Sequence, residues 1–197
     1  MSNFTAQNLI MTKKDNTTRN IVLILMIVVA AVFRLLAFKY KDLSNFNPVG
    51  AIAIFGGVYF ADKWKSYVTV LLALFGTDII INYLYFSKLT LWYSGAEWTY
   101  LAFILMILVG SLIKKVNVLN VVLASVASVL IHWLLTDLPG TLYPHTLAGY
   151  GTSLVNAIPF EKNMVYGNLL FGFILFGGFE LAKTKYTFLN TKKQLAL

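Results

Sequence analysis

The chain has 197 residues, of which 58% are hydrophobic and 12% charged, and its formal net charge is +8. A soluble domain of this size could not keep that much apolar surface from water, so the composition indicates an integral membrane protein. We attribute the positive charge to loops that fix membrane orientation and expect no nucleic-acid partner. With no cysteine and two histidines, disulfides and thiolate ligands are excluded, and we expect no metal site and no cofactor.

The first 19 residues are polar and rich in Asn and Thr, which predicts a disordered cytoplasmic tail. The apolar run after this tail contains Arg34 and leads to no small-residue cleavage site. It therefore predicts a first membrane helix and not a cleaved leader.

Membrane-spanning segments follow in chain order. A helix needs roughly 17 to 25 apolar residues to cross the hydrocarbon core, and six segments are candidates, the second of them short. They are 21–38, 48–61, 67–86, 98–113, 118–135 and 164–182. Because they lack two-residue alternation, we predict an all-α, six-helix integral membrane bundle over residues 20–183. A long loop, 136–163, and a C-terminal tail, 184–197, complete it.

The distribution of Lys and Arg predicts the orientation of these spans. Eleven lie on the side of both termini, and four, Lys39, Lys41, Lys88 and Lys162, lie on the other side. The positive-inside rule then places both termini in the cytoplasm and the long loop outside, as expected for a multi-pass protein of a cytoplasmic (inner) membrane.

Small residues recur in the second segment, where Ala53, Gly57 and Ala61 are spaced by four. Such a face lets another helix approach closely, and in lipid that contact is what drives association. The partner is either another span of this chain or a separate subunit.

Polar residues in and beside the predicted spans concentrate toward the outer side. Such groups are expensive within a bilayer, so their clustering predicts a solute-binding cavity that opens outward. The candidate ligand contacts are Arg34, Asn47, Asp78, Asn82, His132 and Asn168, together with Tyr143 and His145 of the outer loop.

The Arg34–Asp78 pair, His132 and the outer loop each allow two interpretations. Arg34 and Asp78 are expected to pair, either as a structural ion pair or as a ligand site. His132 is either a buried hydrogen-bonding group or a ligand contact. Apolar residues recur at helical spacing within 147–158 of the loop, which predicts an interfacial helix or a lid over the pocket.

Enzyme motifs are missing from the sequence. It contains no HExxH, no GxSxG and no phosphate-binding loop. We therefore expect no enzyme, no catalytic residue and no use of ATP by this chain itself.

Two motifs carry a family resemblance. "NFNPVGAIAIFGGVYF" and "YPHTLAGYGTSLVNAIPFEKNMVYGNLLFGFILFGG" resemble an uncharacterised family of small six-span bacterial membrane proteins. That family is grouped with the substrate-binding (S) components of energy-coupling-factor (ECF) vitamin transporters. The resemblance covers roughly residues 30–178. It departs at Asn168, where an acidic residue is expected, and in the lack of a cysteine that some cobalamin-binding relatives use.

The resemblance implies a bundle that captures a vitamin-like solute, with a transmembrane coupling protein and ATPases supplying transport. Our leading hypothesis is therefore a substrate-capture subunit for vitamin uptake. The alternative is a non-transporting accessory or structural subunit of a larger membrane complex. In that case, the small-residue face would bind partner helices and Arg34–Asp78 would be structural.

Overall fold

The computed structural model describes residues 2–40, 44–138 and 143–190, except for the side chains of residues 2–14 and 37–39. These residues form six α-helices and a short 3-10 helix, with no strand among them. The helices are α1 (Ser2–Lys39), α2 (Val49–Tyr59), α3 (Lys63–Phe86), α4 (Ala96–Leu112), α5 (Val118–Thr136) and α6 (Leu147–Lys185), and the 3-10 helix is Thr187–Leu189. The all-α, six-helix prediction is confirmed.

Among the described residues, four helices are long and apolar enough to cross a membrane: residues 15–36 of α1, α3, α5 and α6. The protein is therefore membrane-embedded. The second predicted span, 48–61, which was already short, corresponds to α2, which has 11 residues and rises only about 16 Å, roughly half of the hydrocarbon thickness. Helix α4 has 17 residues, close to the lower limit for a span.

Helix α2 lies at the centre of the bundle and contacts the other five helices. Ten of its 11 residues are buried. A helix that is apolar on every side is expected in such an interior position. Because the neighbouring helices shield α2 from lipid, it does not have to be long enough to cross the membrane.

The small-residue face of α2 packs within the chain. A Cβ atom at Gly57 would overlap the carbonyl oxygen of Ile107, and one at Gly110 on α4 would overlap that of Ile54. The two backbones therefore approach too closely for any larger residue. Ala53 is fully buried, and Ala61 lies beyond the end of α2, so these three residues do not form a continuous surface for a partner.

Helix α6 begins at Leu147, so the stretch 147–158 is helical as its pattern predicts, and the loop predicted over 136–163 is shorter than expected. It continues through Pro159, which lies in the predicted loop. Proline removes one backbone donor and usually kinks a helix. Here Trp133 of α5 donates its indole N–H to the carbonyl oxygen of Leu154 at 3.0 Å, and this side-by-side packing supports the helix next to the proline.

Helix α1 extends back to Ser2, whereas the sequence predicts a disordered tail over residues 1–19. Once a long apolar segment has nucleated a helix, each further residue adds a hydrogen bond at little cost. Arg19 is buried and links α1 to the end of α2 and to the 3-10 helix. It donates to the carbonyl oxygens of Tyr59 at 2.6 Å and Leu189 at 2.8 Å.

Candidate functional site

The charges predicted within the membrane form one cluster near the end of the bundle where α4 begins. Arg34 of α1 is ion-paired with Asp78 of α3 and donates to the hydroxyl of Thr77 at 3.1 Å. Tyr100 of α4 donates its hydroxyl to the other Asp78 oxygen at 3.2 Å. The predicted pairing is confirmed, and it links three helices around a carboxylate that is 3% exposed.

Asn82 lies one turn beyond Asp78 on α3 and is also buried. Its amide donates to the carbonyl oxygen of Thr90 at 3.2 Å. This bond ties the last turns of α3 to the segment that leads to α4. Ligand contact by Asn82 stays a prediction.

Asn168 of α6 is fully buried and connects three helices. Its side-chain oxygen accepts from the backbone N–H of Ala51 at 3.2 Å, and its amide donates to Ser128 of α5 at 2.9 Å. The N–H of Ala51 belongs to the first turn of α2, where helices lack internal acceptors. Asn168 therefore supplies the hydrogen-bond acceptor that the backbone lacks at the start of α2.

Asn47 lies just before α2 and accepts from the N–H of Val49 at 3.3 Å. Its backbone is so close to Gly167 of α6 that a Cβ atom there would lie 2.7 Å from it. Asn47 is thus placed as a component of the α2–α6 junction.

A second pair of polar residues joins α5 to α6. Nδ1 of His132 lies 3.2 Å from Oε1 of Glu161, and the Thr136 hydroxyl lies 3.3 Å from the same nitrogen. The other oxygen of Glu161, Oε2, is buried and has no hydrogen-bond partner among the described residues. Buried polar groups are rarely left unsatisfied, and among the described side chains only Glu161 and Ser66 have such an atom.

A cavity of about 630 Å³ opens where α4 begins, α5 ends and the first half of α6 packs. We refer to it as the α4–α5–α6 pocket. Polar and aromatic side chains from all three helices and from the segments before α4 and α6 line it. They are Ser94, Glu97, Trp98, Thr136, Asp137, Tyr143, His145, Ser153, Asn156 and Phe160, with Gly95, Leu138 and Ala157 between them.

Two of the eight predicted ligand contacts, Tyr143 and His145, line this pocket. The Tyr143 hydroxyl also accepts from the amide of Asn156 on α6 at 3.0 Å. His132 does not line the pocket, but its Nδ1 atom lies 3.3 Å from the hydroxyl of Thr136, which does. The other five predicted contacts lie in the clusters described above, so the described residues do not bring all eight into a single cavity.

Asp137 follows α5 directly and lines the pocket. Burial and, to a smaller extent, the nearby carboxylate of Glu161 raise the pKa of its carboxyl to about 6, against the opposing effect of His132. A carboxyl with this pKa is mostly ionised at pH 7 but becomes neutral in mild acid.

Glu97, Asn156 and Glu161 were missed by the sequence reasoning. Glu161 precedes Asn168 by seven residues, so a helix continued through Pro159 would have placed both on one face. Glu97 lies in the first turn of α4, just before the predicted start of the fourth span. Among the described residues, no group of three His, Asp or Glu side chains could hold a metal ion.

Comparison with known proteins identifies the family of the chain. The sequence model of DUF6580, a family of unknown function, matches residues 14–193, and the chain belongs to this family. No curated protein and no solved structure shows a significant match.

Proposed function

We propose that this member of the DUF6580 family is a substrate-capture subunit that binds a small, vitamin-like solute in the α4–α5–α6 pocket for uptake. The observation that carries the proposal is the pocket itself. Its volume of about 630 Å³ falls within the range of roughly 300 to 1,000 Å³ that is usual for small-molecule sites. Its mixture of aromatic and hydrogen-bonding side chains is also typical of such sites.

The charge distribution supports a pocket that faces outward in a bacterial inner membrane. Arg19 holds the 3-10 helix Thr187–Leu189 next to the end of α2, so both terminal regions lie at one end of the bundle. Most of the Lys and Arg residues in the described part of the chain lie in segments at that end, which the positive-inside rule assigns to the cytoplasm. The pocket lies at the opposite end, where α4 begins.

Energy for transport would come from other subunits. The sequence has no phosphate-binding loop, and its motifs resemble those of ECF substrate-binding components, which work with a transmembrane coupling protein and ATPases. We expect such a coupling module to co-purify in mild detergent. Release of a bound solute on adding ATP to that complex would support the proposal.

Ligand capture is tested by melting the purified protein with a panel of vitamins and cofactors, and by mass spectrometry of any small molecule that co-purifies. One compound should raise the melting temperature. Trp98→Ala, which changes the pocket lining, should abolish that rise. Trp64→Ala is the matched control, because Trp64 is an exposed tryptophan in the first turn of α3 at the opposite end. If no compound binds, the capture function is refuted.

One observation favours the accessory alternative. Arg34 and Asp78 satisfy each other and are held by Thr77 and Tyr100, so this cluster needs no ligand to be stable. Isolation of a stoichiometric membrane complex that lacks ATPases would favour that function. A complex that contains ATPases would favour capture.

A further inference from the structure

We propose that the α4–α5–α6 pocket selects a positively charged organic solute, an amine or quaternary ammonium compound. This inference rests on the capture function proposed above and specifies the chemical class of the solute. It is carried by the charges that line the pocket, the buried carboxylate beside it and the aromatic rings in its wall.

The charged side chains that line the pocket are acidic. Glu97 comes from the first turn of α4 and Asp137 from the end of α5, and the described lining contains no Lys or Arg. The sequence between Leu138 and Tyr143 is Pro-Gly-Thr-Leu and contains no charged residue. The whole chain has 16 basic and eight acidic residues. The charged side chains of the pocket lining are therefore negative in a protein whose net charge is positive.

Glu161 adds a third carboxylate next to this lining. It is 5% exposed, and its Oε2 atom has no hydrogen-bond partner among the described residues. It is one turn from Ala157 on α6, and through His132 it connects to Thr136, both of which line the pocket. Because charges act strongly across a medium of low dielectric constant, Glu161 increases the negative potential in the pocket.

The carboxylates are also close enough to influence each other. The charge of Glu161 contributes to the raised pKa of Asp137, and His132 offsets only part of the increase. A bound cation would relieve this repulsion, whereas a bound anion would add to it. The pocket is therefore electrostatically matched to a cation.

Aromatic side chains supply the remaining recognition. Trp98, Tyr143 and Phe160 line the same cavity, and aromatic faces attract amines and quaternary ammonium groups. Together with the carboxylates, these rings can bind a solute that has an apolar body and a cationic group. The volume of about 630 Å³ is large enough for a single-ring or a two-ring compound.

The test uses three probes that share one aromatic body and differ in charge: tyramine (positive), tyrosol (neutral) and 4-hydroxyphenylacetate (negative). Binding to the purified full-length protein is measured by ligand-observed NMR and by thermal shift. Tyramine should bind at least about tenfold more tightly than tyrosol, and 4-hydroxyphenylacetate should bind more weakly still. Equal or tighter binding of tyrosol or of the anion would overturn the charge inference.

Variants of the two pocket carboxylates test whether these residues cause the charge preference. Asp137→Asn and, independently, Glu97→Gln should each reduce the preference for tyramine over tyrosol by at least about threefold. Asp62→Asn is the matched control, because Asp62 is an exposed carboxylate that pairs with Lys65 outside the pocket. If one variant does not fold, as judged by its melting curve, the other decides the result. An unchanged preference in a folded pocket variant would contradict the inference.

The vitamin panel separates this inference from the proposed function. If a neutral or anionic compound from the panel binds and Trp98→Ala abolishes that binding, capture stands and the charge inference fails. If the probes do not bind and the compound that binds is cationic, the inference is supported. If neither the probes nor any panel compound binds, both are refuted.

Discussion

Asn168 of α6 donates to the hydroxyl of Ser128 of α5 at 2.9 Å, while its own oxygen accepts from the backbone of Ala51 at 3.2 Å. One fully buried amide thus joins α2, α5 and α6. Ser128 in turn donates to the carbonyl oxygen of Ser125 at 2.7 Å. The short central helix is held by a chain of hydrogen bonds at the point where its own backbone lacks partners.

Replacing this amide should destabilise the bundle. Asn168→Ala leaves the N–H of Ala51 buried without an acceptor, and we expect a loss of about 1–2 kcal/mol in unfolding free energy. Thermal unfolding in detergent measures the change. Ser128→Ala is the comparison, and it should cost less because it leaves the bond to Ala51 intact. Wild-type melting of Asn168→Ala would show that the network adds nothing to stability.

The contact between α2 and α4 gives a second prediction. Gly57→Ala places a methyl group against the carbonyl oxygen of Ile107, and overpacking of this kind costs about 1–3 kcal/mol. Gly76→Ala in α3 is the matched control, because no atom outside its own helix lies within 4 Å of the added group. There the alanine should be neutral or stabilising by up to about 1 kcal/mol. Equal melting temperatures for both variants would contradict this packing.

The sequence predicted the class and helix number because apolar runs and basic loops reflect the cost of placing polar groups in lipid. It also predicted the Arg34–Asp78 pair, since neither charge can lie at that depth alone. It placed 48–61 as a span because local hydropathy does not distinguish lipid from the protein interior. Helix α2 is apolar because it is buried by its neighbours.

The pocket was harder to predict than the ion pair. Asn47 and Asn168 are polar residues in apolar segments, and on this signal alone a structural hydrogen bond looks like a ligand contact. Glu161 was overlooked because it lay in the predicted loop 136–163, whereas α6 continues through Pro159. Residues that line the pocket come from helix ends and connecting segments, and their proximity depends on tertiary structure.

A double-mutant cycle at Arg34 and Asp78 distinguishes a structural ion pair from a ligand site. Arg34→Met leaves the buried carboxylate of Asp78 unpaired and should cost about 3–5 kcal/mol. The double variant Arg34→Met/Asp78→Leu should recover much of this loss, because no isolated charge remains. Thermal unfolding in detergent measures the wild-type protein, the single variants Arg34→Met and Asp78→Leu, and the double variant. A fully additive cycle would contradict the coupling.

The same double variant also bears on binding. Because the described lining of the α4–α5–α6 pocket includes neither Arg34 nor Asp78, the double variant should retain the solute affinity of the wild-type protein. Titration of the solute that binds the wild-type protein measures this affinity. A loss of about tenfold or more in a folded double variant would instead assign the ion pair to the ligand site.

Asp137 predicts a pH dependence of stability. Its pKa rises from an ordinary value of 3.8 to about 6 in the folded protein, so between these pH values the folded state binds more protons than the unfolded state. Its contribution is therefore fully favourable below about pH 4 and is lost as the pH rises through about 6. Glu161 strengthens this effect, and His132 opposes it.

Asp137→Asn keeps the neutral form at every pH and should melt like the wild-type protein at pH 4 but at a higher temperature at pH 7. Asp137 is half-buried, so solvent screening reduces the effect, and we expect a difference of about 2 °C. Melting curves at intervals from pH 4 to 7 measure the difference. The control Asp62→Asn removes an exposed carboxylate and should show no such trend. A difference that stays constant with pH would show that burial does not raise the pKa of Asp137.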